Sequence, residues 1–107
     1  METIEFEPGQ EIIKEGEEAQ YIYMLKSGKI KVQLGLYEFV ISDNNPEVFG
    51  LEALVGEKYT ETCTTVENSK LICCNSSEFM EIYGKTEVSK KALESFMRRT
   101  AKVLGWI

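Results

Sequence analysis

Turn-forming residues punctuate the chain repeatedly as far as Asn75, which limits that part of it to short strands joined by tight connections. The signals are Pro8-Gly9, Glu15-Gly16-Glu17, Ser27-Gly28, Asp43-Asn44-Asn45-Pro46 and Glu67-Asn68-Ser69. Each supplies a permissive glycine, a fixed proline φ or a side chain able to bond its own backbone. Between them the residues suit strands. Ile30, Val32 and Leu34 alternate with Lys29, Lys31 and Gln33, which puts the aliphatic groups on one face and the polar ones in water. Tyr21–Leu25 is apolar on both faces and calls for a more central position, and Ser27-Gly28 is short enough to predict a hairpin between it and Lys29–Leu34. Further strands are expected at Glu11–Lys14, Leu36–Ile41, Thr60–Val66 and Lys70–Cys74, the third of these rich in β-branched threonine.

After Asn75 the period changes. Asn75 or Ser76 can cap a helix starting near Ser77, Glu78 favours the positive end of its dipole, and Gly84 ends it. From Thr86, Val88, Ala92, Leu93, Phe96, Met97, Val103 and Leu104 recur at three- and four-residue steps. They form a stripe on a helix of about five turns, broader than one packing surface uses. The expectation is a single domain over 1–107, with a mainly β roll over about 1–75 and helices over about 76–84 and 86–105. A chain of 107 residues suffices for one core.

The sequence has no histidine, so the commonest general base, the usual zinc ligand and any Ser-His or Cys-His nucleophile are missing. The reading is non-enzymatic. Glu15, Glu17 and Glu18 imitate a paired-carboxylate site, but in a glycine turn they read as a solvated face. Cys63, Cys73 and Cys74 cannot all pair, and adjacent strand positions send Cys73 and Cys74 to opposite faces; they read as small core hydrophobes in a reducing compartment, without a metal role. No long apolar run or leader pattern is evident, so a cytoplasmic location and no membrane contact are expected. The net charge is −6, with about +3 from Thr86 onward and −9 before it. An acidic body disfavours nucleic acid and anionic membranes. Arg98, Arg99 and Lys102 read as cations complementing the dipole of the last helix, not as a DNA contact.

The order of these elements and several motifs resemble the cyclic-nucleotide-binding domain family. The resemblance rests on Phe6–Ile13, Glu15-Gly16-Glu17-Glu18-Ala19, Tyr21–Val32, Phe49-Gly50-Leu51-Glu52-Ala53-Leu54 and Thr60–Val66, and it covers nearly the whole chain. It implies an antiparallel jelly roll, a double-stranded β-helix, with C-terminal helices. It also implies a phosphate-binding cassette from Phe49 to about Thr62, in which backbone N–H groups and an arginine meet a cyclic phosphate while a glutamate accepts from the ribose. Gly9, Gly16 and Gly28 stand where tight turns favour positive φ, and Gly50 would let backbone approach a ligand.

The cassette departs from that pattern at both side chains. Leu51 stands at the glutamate position, with Glu52 one residue late, and Gly56–Thr62 has no arginine near Tyr59 or Thr60, only Lys58 between Glu57 and Glu61. Loss of a bidentate arginine costs about 1.5–3 kcal/mol or more, and Lys58 reads as a solvated turn residue. The Phe-Gly-Leu-Glu-Ala-Leu form is similar to members of the catabolite-activator-like branch that sense something other than a cyclic nucleotide. Cyclic nucleotide is thus the cofactor the family implies and this cassette argues against.

The candidate ligand residues are Phe49, Gly50, Leu51, Glu52, Ala53, Leu54, Lys58, Tyr59, Thr60 and Thr62. In the same branch the long helix packs on its twin, so Val88, Ala92, Leu93, Phe96, Met97 and Leu104 are expected at a homodimer interface. The leading expectation is a ligand sensor with a regulatory, non-catalytic role. The alternative is a ligand-free structural or protein-interaction module on the same fold.

Overall fold

The computed structural model describes residues 1–43, 47–87, 90, 93–94 and 96–99. Among the described residues, eight strands precede the helices: β1 Glu2–Phe6, β2 Glu11–Ile13, β3 Ile22–Ser27, β4 Lys29–Leu34, β5 Tyr37–Ser42, β6 Val48–Phe49, β7 Thr62–Thr65 and β8 Ser69–Cys74. They form two antiparallel four-stranded sheets, ordered β1-β8-β3-β6 and β2-β7-β4-β5. Between the sheets lies one core, of Ile13, Leu25, Ile30, Val32, Phe49, Tyr59, Cys63 and Leu71. The outer face of the first sheet carries a second, in which Ile22, Met24, Val48, Leu51 and Cys74 meet Phe79, with Phe96 packed against it.

The first sheet is therefore buried on both faces, which is why β3 is apolar on both faces over Ile22–Leu25 and lies between β8 and β6. Adjacent residues divide between the cores: Val48 goes to the helix side and Phe49 to the roll. All three cysteines are free and buried. Burial pushes the Cys63 thiol well up and Cys74 up to about 11, so they stay protonated at neutral pH.

The Ser27-Gly28 hairpin is not formed. β3 and β4 lie in different sheets, and Gly28, at φ 112, turns the chain through the corner between them. A Cβ there would meet the Ser69 Cβ at 2.6 Å and its Cα at 2.7 Å. Ser69 fixes the corner: its Oγ accepts from Lys29 N–H at 3.3 Å and donates to the Glu67 carbonyl at 2.9 Å. The hairpin in this region is β4–β5, paired from Lys29↔Ser42 to Leu34↔Tyr37 across Gly35-Leu36. Sequence reasoning also missed β1, which pairs with β8 along its whole length, and the two-residue β6.

Helix α1 spans Ser76–Tyr83. Asn75 Oδ1 accepts from Glu78 N–H at 2.8 Å while Glu78 Oε1 accepts from Asn75 N–H at 3.0 Å, a reciprocal capping box. Gly84 ends the helix in a right-handed conformation, φ −56, not the left-handed one expected of a terminal glycine. The described residues at 87, 90, 93–94 and 96–99 are helical. Val88, Ala92 and Leu104 lie outside the described residues.

Candidate functional site

The cassette begins where β6 ends. Gly50 has φ 85, and a Cβ there would lie 2.6 Å from the Tyr21 carbonyl oxygen and 3.1 Å from the Tyr59 ring. The close approach that requires glycine is thus with the chain's own groups. Tyr59 is the clasp: its hydroxyl donates to the Tyr21 carbonyl at 2.7 Å and accepts from Tyr21 N–H at 3.1 Å. Between the two, Leu51–Leu54 make one turn of 3-10 helix. The Glu15–Ala19 turn is stitched on by Gly16 N–H to the Tyr59 carbonyl and Tyr59 N–H to the Glu17 carbonyl, both at 2.9 Å. It also makes a backbone bridge between Glu18 and Lys58.

Glu52 is only 5% exposed. Its Oε2 accepts from Thr60 N–H at 2.6 Å and from the Thr60 hydroxyl at 2.8 Å, so Glu52 ties the two ends of the cassette together. Its Oε1 is buried and has no hydrogen-bond partner among the described residues. Leu51, at the preceding position, turns into the core beneath Phe79.

Beside the cassette is a cavity of about 820 Å³. Leu51, Leu54 and Val55 of the cassette form its apolar wall with Phe79 of α1 and Leu93 and Phe96 of the last helix. Its charged lining among the described residues is Glu15, Glu18, Glu52 and Glu57 with Lys58. Of the expected ligand residues, Leu51, Glu52, Leu54, Lys58, Tyr59 and Thr60 meet at this cavity. Phe49 is in the roll core, Gly50 and Ala53 stand outside the cavity lining, and Thr62 is also elsewhere, its Oγ1 accepting from Glu15 N–H at 3.1 Å. Lys58 is exposed, as its reading as a turn residue anticipated. Of the described dimer candidates, Phe96 packs on the roll, while Leu93 and Met97 are 54% and 59% exposed.

Arg99 occupies a place the sequence did not suggest. It leaves the last helix and is 6% exposed, against a Glu61 that is 1% exposed. Nε donates to Glu61 Oε2 at 2.6 Å and Nη2 to Oε1 at 3.1 Å, a two-pronged pair, with Nη1 at 3.4 Å from Glu47 Oε2. The guanidinium carbon stands 5.8 Å from the centre of the Phe49 ring, within cation–π range. Burial alone would lower the Arg99 pKa, but the hydrogen bonds and charge of Glu61, then the charge of Glu47, hold it above its ordinary value. Arg99 is therefore not a solvated cation at a helix end, and Glu61 is not part of the charged loop around Lys58. A period of two carries the signal for Glu61: it shares a parity with Cys63 and Thr65, the buried residues of β7, and so falls on the inward face.

A family model for the cyclic nucleotide-binding domain matches residues 3–86. The chain is 39% identical over 62 residues to a cGMP-dependent protein kinase of Toxoplasma gondii, an alignment covering 58% of this chain and 6% of the kinase. It is 29% identical over 98 residues to the cone photoreceptor cyclic nucleotide-gated channel subunit alpha of Gallus gallus, covering 83% of this chain and 13% of the channel subunit. It thus spans a small part of these relatives. Among solved structures, the PKAR CBD2 domain bound to Sp-2Cl-cAMPS matches with a TM-score of 0.76 and 19% identity, over 97% of this chain and 71% of that one. A cAMP-bound PfPKA-R fragment gives the same TM-score and identity, over 97% of this chain and 37% of that one. With the jelly roll, the cassette between β6 and β7 and the helices on the outer sheet in place, the chain belongs to the cyclic nucleotide-binding domain family.

Proposed function

We propose that the chain is a non-catalytic sensor module of the catabolite-activator-like branch, in which a ligand other than a cyclic nucleotide enters beside the cassette and the last helix carries the response. The observation that supports this most is the Arg99–Glu61 pair. A cyclic phosphate needs a cation with uncommitted donors, and here the buried guanidinium is engaged by two carboxylates. The cassette glutamate is likewise committed, through Oε2, to Thr60. These residues do not suit the family's nucleotide in the family's manner, and no binding step is assigned to it.

The same pair joins ligand site to output. Arg99, Leu93 and Phe96 share one helix; the first anchors it in the roll and the other two line the cavity. An occupant touching that wall biases the helix between docked and released positions by its differential affinity for the two. Calorimetric titration with cyclic AMP and cyclic GMP is expected to give no binding heat at micromolar concentrations. Saturable micromolar binding of either would overturn this reading.

We also propose a homodimer through the last helix, since Leu93, beside Phe96 at the cavity wall, and Met97 leave large apolar groups in water. Sedimentation should show a dimer that a Leu93→Asp/Met97→Asp variant converts to a folded monomer. A wild-type monomer at high micromolar concentration would refute it.

A further inference from the structure

We infer that the roll carries a guanidinium-binding site of its own, made by Glu61, Glu47 and Phe49, which the chain fills with Arg99 and which takes a guanidino compound instead when the last helix lifts away. This goes beyond the sensor reading, because none of these four residues belongs to the lining of the cavity beside the cassette. The walls of the site belong to the roll and not to the helix that occupies it. Glu47 is tied to β3, its carbonyl accepting from Leu25 N–H at 2.9 Å. Phe49 is set in β6 by its register with Tyr23, and the buried Glu61 directly precedes β7. Walls held by strand pairing keep their shape when the occupant leaves, so an incoming ligand loses little to ordering them.

The chemistry of the site selects a guanidinium over other cations. Glu61 receives two donors side by side, Nε at 2.6 Å and Nη2 at 3.1 Å, and Glu47 Oε2 stands 3.4 Å from Nη1. A planar fork meets one carboxylate twice and keeps a further N–H for a second, whereas an ammonium acts as a point charge. The Phe49 ring, 5.8 Å from the guanidinium carbon, adds a face for a flat cation. Departure of the helix alone would strand Glu61 as an unpaired buried charge. A guanidino ligand removes that obstacle by taking over the pair, which makes its binding and the docking of the last helix mutually exclusive.

Arg99→Ala removes everything beyond Cβ, and N-ethylguanidinium is the missing piece. At millimolar concentration, below its denaturing range, it is expected to raise the urea midpoint of Arg99→Ala saturably, which yields its dissociation constant, since a ligand bound only to the folded chain shifts the folding equilibrium. Ethylammonium, which has the charge without the fork, and ethylurea, which has a similar shape without the charge, should leave the midpoint in place. If Arg99→Ala is unfolded without ligand, the same titration followed by circular dichroism reads the return of the folded signal. Arg99→Ala/Glu61→Gln should lose the response. In the wild-type chain the ligand reaches the site only while the helix is open, so amide hydrogen exchange over the last helix should quicken about tenfold at about ten times the dissociation constant, with exchange in β4 unchanged. A response of Arg99→Ala to N-ethylguanidinium no larger than to ethylammonium would overturn the site, and unchanged wild-type exchange would overturn its exclusion of the helix. The cyclic nucleotide titrations bear on the sensor reading alone, so the two readings stand or fall separately.

Discussion

Arg99→Ala is expected to lower the unfolding free energy by about 3–5 kcal/mol, because it strands Glu61 as an uncompensated charge inside the roll. Glu61 is 1% exposed and would lose both prongs of its ion pair, at 2.6 and 3.1 Å. Since a domain of this kind has only about 5–15 kcal/mol in hand, the variant should unfold at markedly lower urea. Two controls give the number its meaning. Arg98→Ala, on the exposed side of the same turn, should stay within about 0.5 kcal/mol of wild type. Arg99→Met combined with Glu61→Leu should recover most of the loss, because replacing both members of a buried pair by apolar groups removes the desolvation problem along with the attraction. Urea denaturation followed by circular dichroism measures all three. A loss below about 1 kcal/mol for Arg99→Ala would mean that the last helix is not anchored in the roll, and the coupling proposed for the sensor would go with it.

The legible parts of this fold were those in which side-chain period alone decides the outcome. Ile30 and Val32 alternate with polar neighbours and are fully buried on β4, and Asn75 with Glu78 forms the cap that their types suggest. The rest depended on contacts distant in sequence. β1 has no strong pattern of its own, its residues running from exposed to half-buried, and it is a strand because β8 pairs with it. β6 is two residues long and exists because β3 offers Tyr23 and Met24 as partners. At the site, Leu51, Glu52, Lys58, Tyr59 and Thr60 were marked from the cassette motif, and the cavity lining contains them. What local sequence did not carry was the pairing of Arg99 with Glu61, separated by 38 positions. Residue type alone assigns both to water. Only the alternation of β7 places Glu61 inward, and nothing local tells which cation answers it.

Gly28→Ala is expected to cost about 2–6 kcal/mol, combining about 1–3 for a non-glycine residue at positive φ with about 1–3 for a side chain driven into packed atoms. The new Cβ would stand 2.6 Å from the Ser69 Cβ and 2.7 Å from its Cα. The Ser69 hydroxyl is nearer still, but its Cβ and Cα are in conflict too, so adding Ser69→Ala should bring only a partial rescue. Gly9 supplies the comparison, because it too has positive φ, 81, but has nothing within 4 Å of its would-be Cβ; Gly9→Ala should show the conformational cost alone. The difference between the two variants in urea measures how tightly the corner closes on β8. A β3–β4 hairpin would hold Gly28 at an open tip, and the two alanine variants would then cost the same. A larger loss at Gly28 is what a chain passing from one sheet to the other demands, since the corner that carries β4 away from β3 is also the point at which it crosses Ser69.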